Sequence, residues 1–286
     1  MAYIEVSGVS KTFTASNGTA RPVLRNVSLT VECGDFVSIV GAMGSGKSTL
    51  LSILAGLSSA DSGNVAVDGE PVRGVRSGAA YVFQNYSLLP WFSALENVRL
   101  AIQAAMPGLS HDAQQARARQ ALEQIGLGNA IHRRPGQLSG GMRQRVAIAR
   151  AFAIDPDLLF LDEPFGALDA LTRETVQQDL VRLCSSTERR VTSVMITNSV
   201  EEAILLSDWI VPMLPGPPAT LGAPIPVQLP RPRSLAQLAH EEAATHVRAH
   251  VIATLTAAIG NRTRRPPAKA DVDPVTSIEL ATEKSR

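Results

Sequence analysis

Residues 41 to 49 read GAMGSGKST and fit G-x-x-x-x-G-K-[ST]. The chemistry of that pattern is anion capture. Gly41, Gly44 and Gly46, with Ser45 between them, let the backbone curl so that successive N–H groups point inward. The helix that starts there adds its partial positive charge. In such a nest Lys47 reaches the β and γ phosphates of a nucleoside triphosphate, Ser48 completes the motif and ligates Mg2+, and Thr49 beside it is a further candidate nucleotide-binding residue. A dinucleotide site would need G-x-G-x-x-G, which Thr49 leaves incomplete. A phosphate-bound Mg2+ calls for a carboxylate at the end of a neighbouring strand, and LLFLDEP at 158 to 164 supplies Asp162. Glu163, adjacent at a strand terminus, points to the other side and is the candidate general base for an attacking water. Two acids at a strand end are ordinary loop residues on their own. Read with GSGKS, they imply a nucleotide hydrolase.

A second nest follows. In QLSGGMRQR, residues 137 to 145, Ser139, Gly140 and Gly141 open another helix with an anion-friendly start. One triphosphate bound by one chain has no use for two nests, so a second chain is implied. Arg143 and Arg145 on that helix are expected to be structural or to face nucleotide. In VMITNSVEEA, residues 194 to 203, an apolar run stops at Asn198 and Ser199. Ser199 and Glu202 stand at capping-box spacing, so a strand-to-helix turn accounts for Asn198 without any ligand. His246 and His250 lie four apart but lack a third ligand and read as a solvated helix face.

These groups need a scaffold. The chain has 286 residues, enough for one large domain or two, and 45% hydrophobic content is ample for a core. Lys plus Arg (27) nearly balance Asp plus Glu (26), so no strong field draws it to nucleic acid, and no nucleic-acid partner is expected. Cys33 and Cys184 have no zinc or disulfide spacing, which suits a reducing compartment. The opening MAYIEVSGVSKTF has no signal-peptide pattern, and no window approaches 18 uninterrupted apolar residues.

The first 35 residues alternate in period two around ASNGTA and predict antiparallel strands. DFVSIVG, LLFLDE and VTSVMIT predict buried strands, and STLLSILAGL and LTRETVQQDLVRLCSS predict helices. Strands alternating with helices imply a mostly parallel α/β sheet. Residues 93 to 130 have helical spacing and no strand, a helical insert. Seven prolines in 214 to 232 exclude a helix there. Disorder is one reading, and the alternation of Leu221, Ala223, Ile225, Val227 and Leu229 favours an edge hairpin. RSLAQLAHEEAATHVRAHVIATLTAAI predicts one helix.

Taken together, GAMGSGKST, the pair Phe83 and Gln84, LSGGM, LLFLDEP and GALD at 166 to 169 resemble the ATP-binding subunits of ABC transporters, from about residue 3 to 230. The resemblance implies an α/β P-loop NTPase fold, the ABC-type nucleotide-binding domain with an antiparallel β subdomain and a helical signature subdomain. That domain would span 1–230 with its helical insert at about 85–150, followed by a C-terminal helix at 231–260 and a disordered tail at 261–286. It implies ATP and Mg2+ as cofactors, Phe13 stacked on adenine, and Gln84 sensing Mg2+ and coupling to the membrane subunit. Asp169 would communicate between two sites, and the LSGGM of one subunit would close over ATP held by the other. The implied partners are a transmembrane permease subunit docking on Gln84 to Trp91, a second ABC ATPase subunit in a homodimer or heterodimer, and, indirectly, a periplasmic solute-binding protein. The implied location is peripheral, at the cytoplasmic face of the membrane. For Leu88, Leu89, Pro90 and Trp91, core packing and a partner surface are both open readings.

LLPW, DEPFGALDALTR and PGPPATLG look like the importer branch for nitrate, nitrite, cyanate, bicarbonate and sulfonates such as taurine. VFQNYSLLPW leans towards nitrate-type members. The family's switch motif is usually THD, whose histidine contacts the γ-phosphate and supports the catalytic glutamate and water. Here Thr197 is followed by Asn198 and Ser199, so the resemblance makes Asn198 both a turn residue and a γ-phosphate neighbour. An Asn amide donates a hydrogen bond but cannot become cationic, so hydrolysis at the chain's own cradle is expected to slow. With LSGGM intact, a heterodimer with one fast and one slow site is expected, and a slow regulatory subunit beside an active paralogue is the alternative. An ABC ATPase of nucleic-acid repair or translation would need coiled-coil arms or tandem cassettes, and neither is present.

Overall fold

In this computed structural model, residues 2 to 186 and 190 to 263 are described. The alternating N-terminal run forms β1 (Ala2–Thr14) and β2 (Ala20–Glu32), an antiparallel pair closed by a polar turn. β3 (Phe36–Val40) is buried along its whole length, and the loop after it feeds α1 (Lys47–Leu54). Then come β4 (Ser62–Val67), β5 (Glu70–Pro71) and β6 (Ala79–Val82). α2 (Ala94–Ala105), α3 (His111–Gln124) and α4 (Gly140–Phe152) follow with no strand between them. Each starts on a serine whose hydroxyl accepts from its first turn: Ser93, Ser110 and Ser139. The chain continues through β7 (Leu158–Asp162), α5 (Ala170–Ser186), β8 (Thr192–Thr197), α6 (Val200–Leu206) and β9 (Trp209–Leu214). It closes with β10 (Thr220–Leu221), β11 (Ile225–Pro226), α7 (Leu235–Leu238) and α8 (Glu242–Thr263).

Two sheets result. One is antiparallel, in the order β2-β1-β4-β5; the other runs β10-β9-β3-β8-β7-β6, with β9, β3, β8, β7 and β6 parallel. Strand alternation sends one face of the parallel sheet to each of two cores. Leu158 and Phe160 pack with α1 and the antiparallel sheet, whereas Leu159 and Leu161 pack with the helices α2 to α6. With both faces covered, the strands read as continuous apolar runs.

Three expectations need correction. The proline-rich segment does not fold into a hairpin of its own, because β10 and β11 each pair antiparallel with β9 and extend its edge. The helix expected over 231–260 is broken: Ser234 caps the single turn α7, and α8 starts only at Glu242. Arg233, buried, donates to the carbonyls of Ile204, Ser207, Val227 and Leu229 and pins this break to α6. Residues 261 to 263, expected in the tail, belong to α8, and the tail from 264 onward lies outside the described residues. Among the described residues no helix is long and apolar enough to cross a membrane.

Candidate active site

The order β3-β8-β7-β6 explains why residues far apart in sequence meet. Parallel strands all end on the same side, and four adjacent ends carry the glycine loop, Asn198, the pair Asp162 and Glu163, and Gln84. Ligands of open α/β sheets sit at such carboxyl ends.

The glycine loop runs from Gly41, at the end of β3, through Gly44 and Ser45 to Gly46, which caps α1 with φ 97° and no side-chain hydrogen bond. A Cβ on Gly46 would stand 3.0 Å from Val23 on β2, so that position needs glycine for conformation and for space. The Ser45 hydroxyl is buried without a hydrogen-bond partner. An uncapped helix start beside an unpartnered hydroxyl suits an anion that brings its own acceptors. Lys47 is only 3% exposed. Its ammonium donates to the carbonyls of Gly41 (2.9 Å) and Ala42 (3.0 Å) and to Asn198 Oδ1 (2.6 Å), and it lies 3.5 Å from Glu163. Burial pushes its pKa down, and Glu163 pulls it back up.

Beside the lysine, Ser48 Oγ donates to Asp162 Oδ1 at 3.1 Å, and Tyr81 on β6 donates to Asp162 Oδ2 at 3.2 Å. Burial raises the pKa of Asp162, while these two hydroxyls oppose the shift. Glu163 takes a positive φ of 42° as its amide bonds to Ile196 O, and its Oε2 accepts from Gln84 Nε2 at 3.3 Å. A non-glycine residue in that conformation is costly and is held here by the neighbouring strand. Thr49 is half-buried in the first turn of α1.

Other predicted residues stand apart from this cluster. Phe13, on β1, is 47% exposed with Lys11 over its ring at 5.5 Å. Ser139 caps α4 by accepting from Met142 N, and the α4 start packs on Tyr86, Leu168 and Thr172 rather than on the glycine loop. A Cβ on Gly141 would come within 2.1 Å of Thr172 Cγ2. Asp169 accepts from Thr172 N at 3.0 Å at the start of α5, and its contacts with Thr172 lower its pKa. Leu88 packs against the core, which meets the core-packing reading at that residue, whereas Trp91 stays 62% exposed. Among the described residues no cluster of three or more His, Cys, Asp or Glu could hold a metal, and His246 and His250 are solvated.

One local expectation is only half met. Ser199 caps α6 by accepting from Glu202 N, but the Glu202 carboxylate does not return to Ser199 and instead meets Thr197 and Gln177. Sequence reasoning also misses Tyr81. The one signal for it is an apolar run, AAYV, that ends two residues before Gln84.

The model of the ABC transporter family matches residues 24–166. The nitrate import ATP-binding protein NrtD of Synechococcus elongatus is 46% identical over 231 residues, 81% of this chain and 83% of that protein. The nitrate transport protein NasD of Klebsiella oxytoca is 43% identical over 250 residues, 87% of this chain and 94% of its own. The bicarbonate transport ATP-binding protein CmpC of Synechocystis sp. is 42% identical over 250 residues, and the match spans only 37% of that longer protein. A dimeric ATP-binding cassette, MJ0796, in a post-hydrolysis state bound to ADP and Pi, superposes with a TM-score of 0.70 at 31% identity, over 79% of this chain and 99% of that one. With its strand ends, glycine loop and acidic pair arranged as described, the chain belongs to the ABC transporter family as one of its ATP-binding cassettes.

Proposed function

We propose that this chain is the ATP-binding and ATP-hydrolysing subunit of an ABC importer. It would power uptake of a small anion of the nitrate, nitrite, cyanate, bicarbonate or sulfonate kind through a separate transmembrane subunit. The observation that carries the reading is the convergence of Lys47, the Ser48–Asp162 pair, the Gln84–Glu163 pair and Asn198 on one uncapped helix start. ATP lays its β and γ phosphates against the glycine loop amides and Lys47, and Phe13 stacks on the adenine. The hydroxyl of Ser48, the Asp162 carboxylate and the Gln84 amide oxygen form a hard oxygen set that fits Mg2+. Held by these residues, that ion would supply positive charge against the charge developing on the phosphates. Glu163 orients the attacking water and accepts its proton, and Asn198 donates to the γ-phosphate. Ser139, Gly140 and Gly141 close over nucleotide held by a second cassette, with Asp169 beside them. The exposed Trp91 turn after Gln84 takes the transmembrane subunit at the cytoplasmic face of the membrane. The anion class rests on the nitrate and bicarbonate relatives.

The test is steady-state Mg-ATPase activity of the full chain beside Glu163→Gln. The variant should lose about a hundredfold or more in kcat while still binding ATP. Full activity without Glu163 would sink the hydrolytic reading. Uptake of nitrate and bicarbonate into vesicles carrying the assembled transporter tests the anion class.

Asn198 supports a second reading, a slow regulatory cassette beside an active paralogue, because its amide cannot become cationic. Near-zero wild-type turnover restored by Asn198→His would select it. A wild-type rate that Asn198→His changes by less than about threefold selects the first.

A further inference from the structure

Glu202 is a carboxyl group buried in the first turn of α6, and the hydrolytic chemistry above makes no use of it. Ser199 alone caps the helix. The two carboxylate oxygens instead take Thr197 Oγ1 on β8 and Gln177 Nε2 on α5, the latter at 3.3 Å. Thr197 and Gln177 are each 2% exposed, and Glu202 is 7% exposed. Thr197 Oγ1 also accepts the amide of Ser199 at 3.0 Å. The residues on both sides of Asn198 are therefore tied, through one hydroxyl, to one buried carboxylate. Asn198 itself is exposed and reaches inward only by its side chain, to Lys47.

Burying a carboxylate is expensive unless hydrogen bonds offset the loss of water. A neutral side chain would serve the α6 turn as well, since Ser199 already supplies the cap. The charged acceptor strengthens the Thr197 hydroxyl as a relay, because a hydroxyl that donates to a carboxylate is a better acceptor for the Ser199 amide. The groups around Glu202 are Arg173 and Gln177 of α5, Thr197 of β8 and, at longer range, Glu163 after β7. Gln177 also ties this carboxylate to α5, whose first turn carries Thr172 against Gly141.

We propose that Glu202 is a positioning residue for ATP hydrolysis: with Thr197 and Gln177 it holds the turn at 197–199 so that the Asn198 amide meets the γ-phosphate. The proposal rests on the reading of Asn198 as the switch residue. It predicts that Glu202 and Thr197 act through Asn198 and not through general stability.

The test is kcat and KM for Mg-ATP of the full chain, with Glu202→Ala, Thr197→Val and Thr197→Ser, each in wild-type and Asn198→Ala backgrounds. Glu202→Ala and Thr197→Val should lower kcat on the order of tenfold and leave KM within about twofold. Thr197→Ser, which keeps the hydroxyl, should recover most of the loss. In the Asn198→Ala background both losses should shrink below about twofold. Equal losses in the two backgrounds, or a Thr197→Val enzyme as fast as wild type, overturn the proposal and leave the switch reading standing. Asn198→Ala at the wild-type rate overturns the switch reading and the proposal with it. Should Glu202→Ala fail to fold, the Thr197 pair carries the same test.

Discussion

Two helices of this molecule begin on glycine-rich turns, and they begin differently. α1 starts at Gly46 in the left-handed region with no side chain to cap it, beside a buried lysine and an unpartnered serine hydroxyl. α4 starts at Ser139 in extended conformation, and the serine hydroxyl already satisfies Met142 N. The first start leaves its amides and positive field to a ligand, whereas the second is partly satisfied by its own chain. The composite site proposed between two cassettes would use that difference, with one half that demands nucleotide and one that completes it.

The largest effect should come from the demanding half. Lys47→Ala removes a buried cation whose acceptors are two loop carbonyls, Asn198 and Glu163. Loss of such a group from an anion cradle costs about 2–5 kcal/mol, so ATP affinity should fall roughly 30-fold or more. Ser139→Ala should leave ATP affinity of the isolated chain within about twofold. Equilibrium nucleotide binding to both variants decides the matter. If Ser139→Ala weakens monomeric binding as much as Lys47→Ala, the two starts serve one nucleotide and the composite reading fails.

Next in size is the packing under the second start. Gly141→Ala places a methyl 2.1 Å from Thr172 Cγ2, an overpacking that costs about 1–3 kcal/mol. Thr172→Ser deletes the clashing methyl and keeps the backbone donor to Asp169, so the double variant should regain much of the urea midpoint. An undiminished loss in the double variant would place the constraint in the backbone instead. Ser139→Ala should cost about 1 kcal/mol of folding stability by the same measurement, since it removes a cap. α1 has no side-chain cap whose removal could cost the same.

Much of this architecture is legible in the amino-acid sequence, and the exceptions are instructive. β3, β7 and β8 announce themselves because both faces are buried and nearly every residue is apolar or small. β4 and β5 escape a reading by periodicity, although Asp68 and Gly69 form the tight turn between them, both at positive φ, which is a strong hairpin signal. β6 is four residues with two alanines, too short for periodicity to register, and so Tyr81 stays hidden beside Asp162. Each motif residue is visible singly, yet the order β3-β8-β7-β6 that lines up their ends is set by crossovers far apart in sequence. Glu202 shows the same limit on a smaller scale. Local spacing suggests a reciprocal cap, but Gln177, 25 residues earlier on another helix, and Thr197 compete for its carboxylate. Spacing cannot report a competitor that only tertiary packing brings near.

The smallest expected effect separates the two halves by sign. Burial raises the pKa of Glu202, so the folded chain holds that proton more tightly than the unfolded one. Its contribution to stability is complete below the ordinary glutamate value of about 4.3 and is lost as pH rises through the raised folded value. On the signature side, hydrogen bonds from Thr172 lower the pKa of the exposed Asp169, so its contribution is present above the ordinary aspartate value of about 3.9 and lost as pH falls through the depressed one. Thermal unfolding of the nucleotide-free chain across pH should resolve them. Glu202→Gln should flatten the decline of Tm above about pH 4, so that the variant gains on wild type as pH rises. Asp169→Asn, still a good cap, should flatten the loss below about pH 4 and change little above it. Because Asp169 is exposed, its effect should also weaken with added salt, whereas that of Glu202 should not. Shifts of the same sign for both variants would mean that one of these carboxyl groups does not sit where its hydrogen bonds place it.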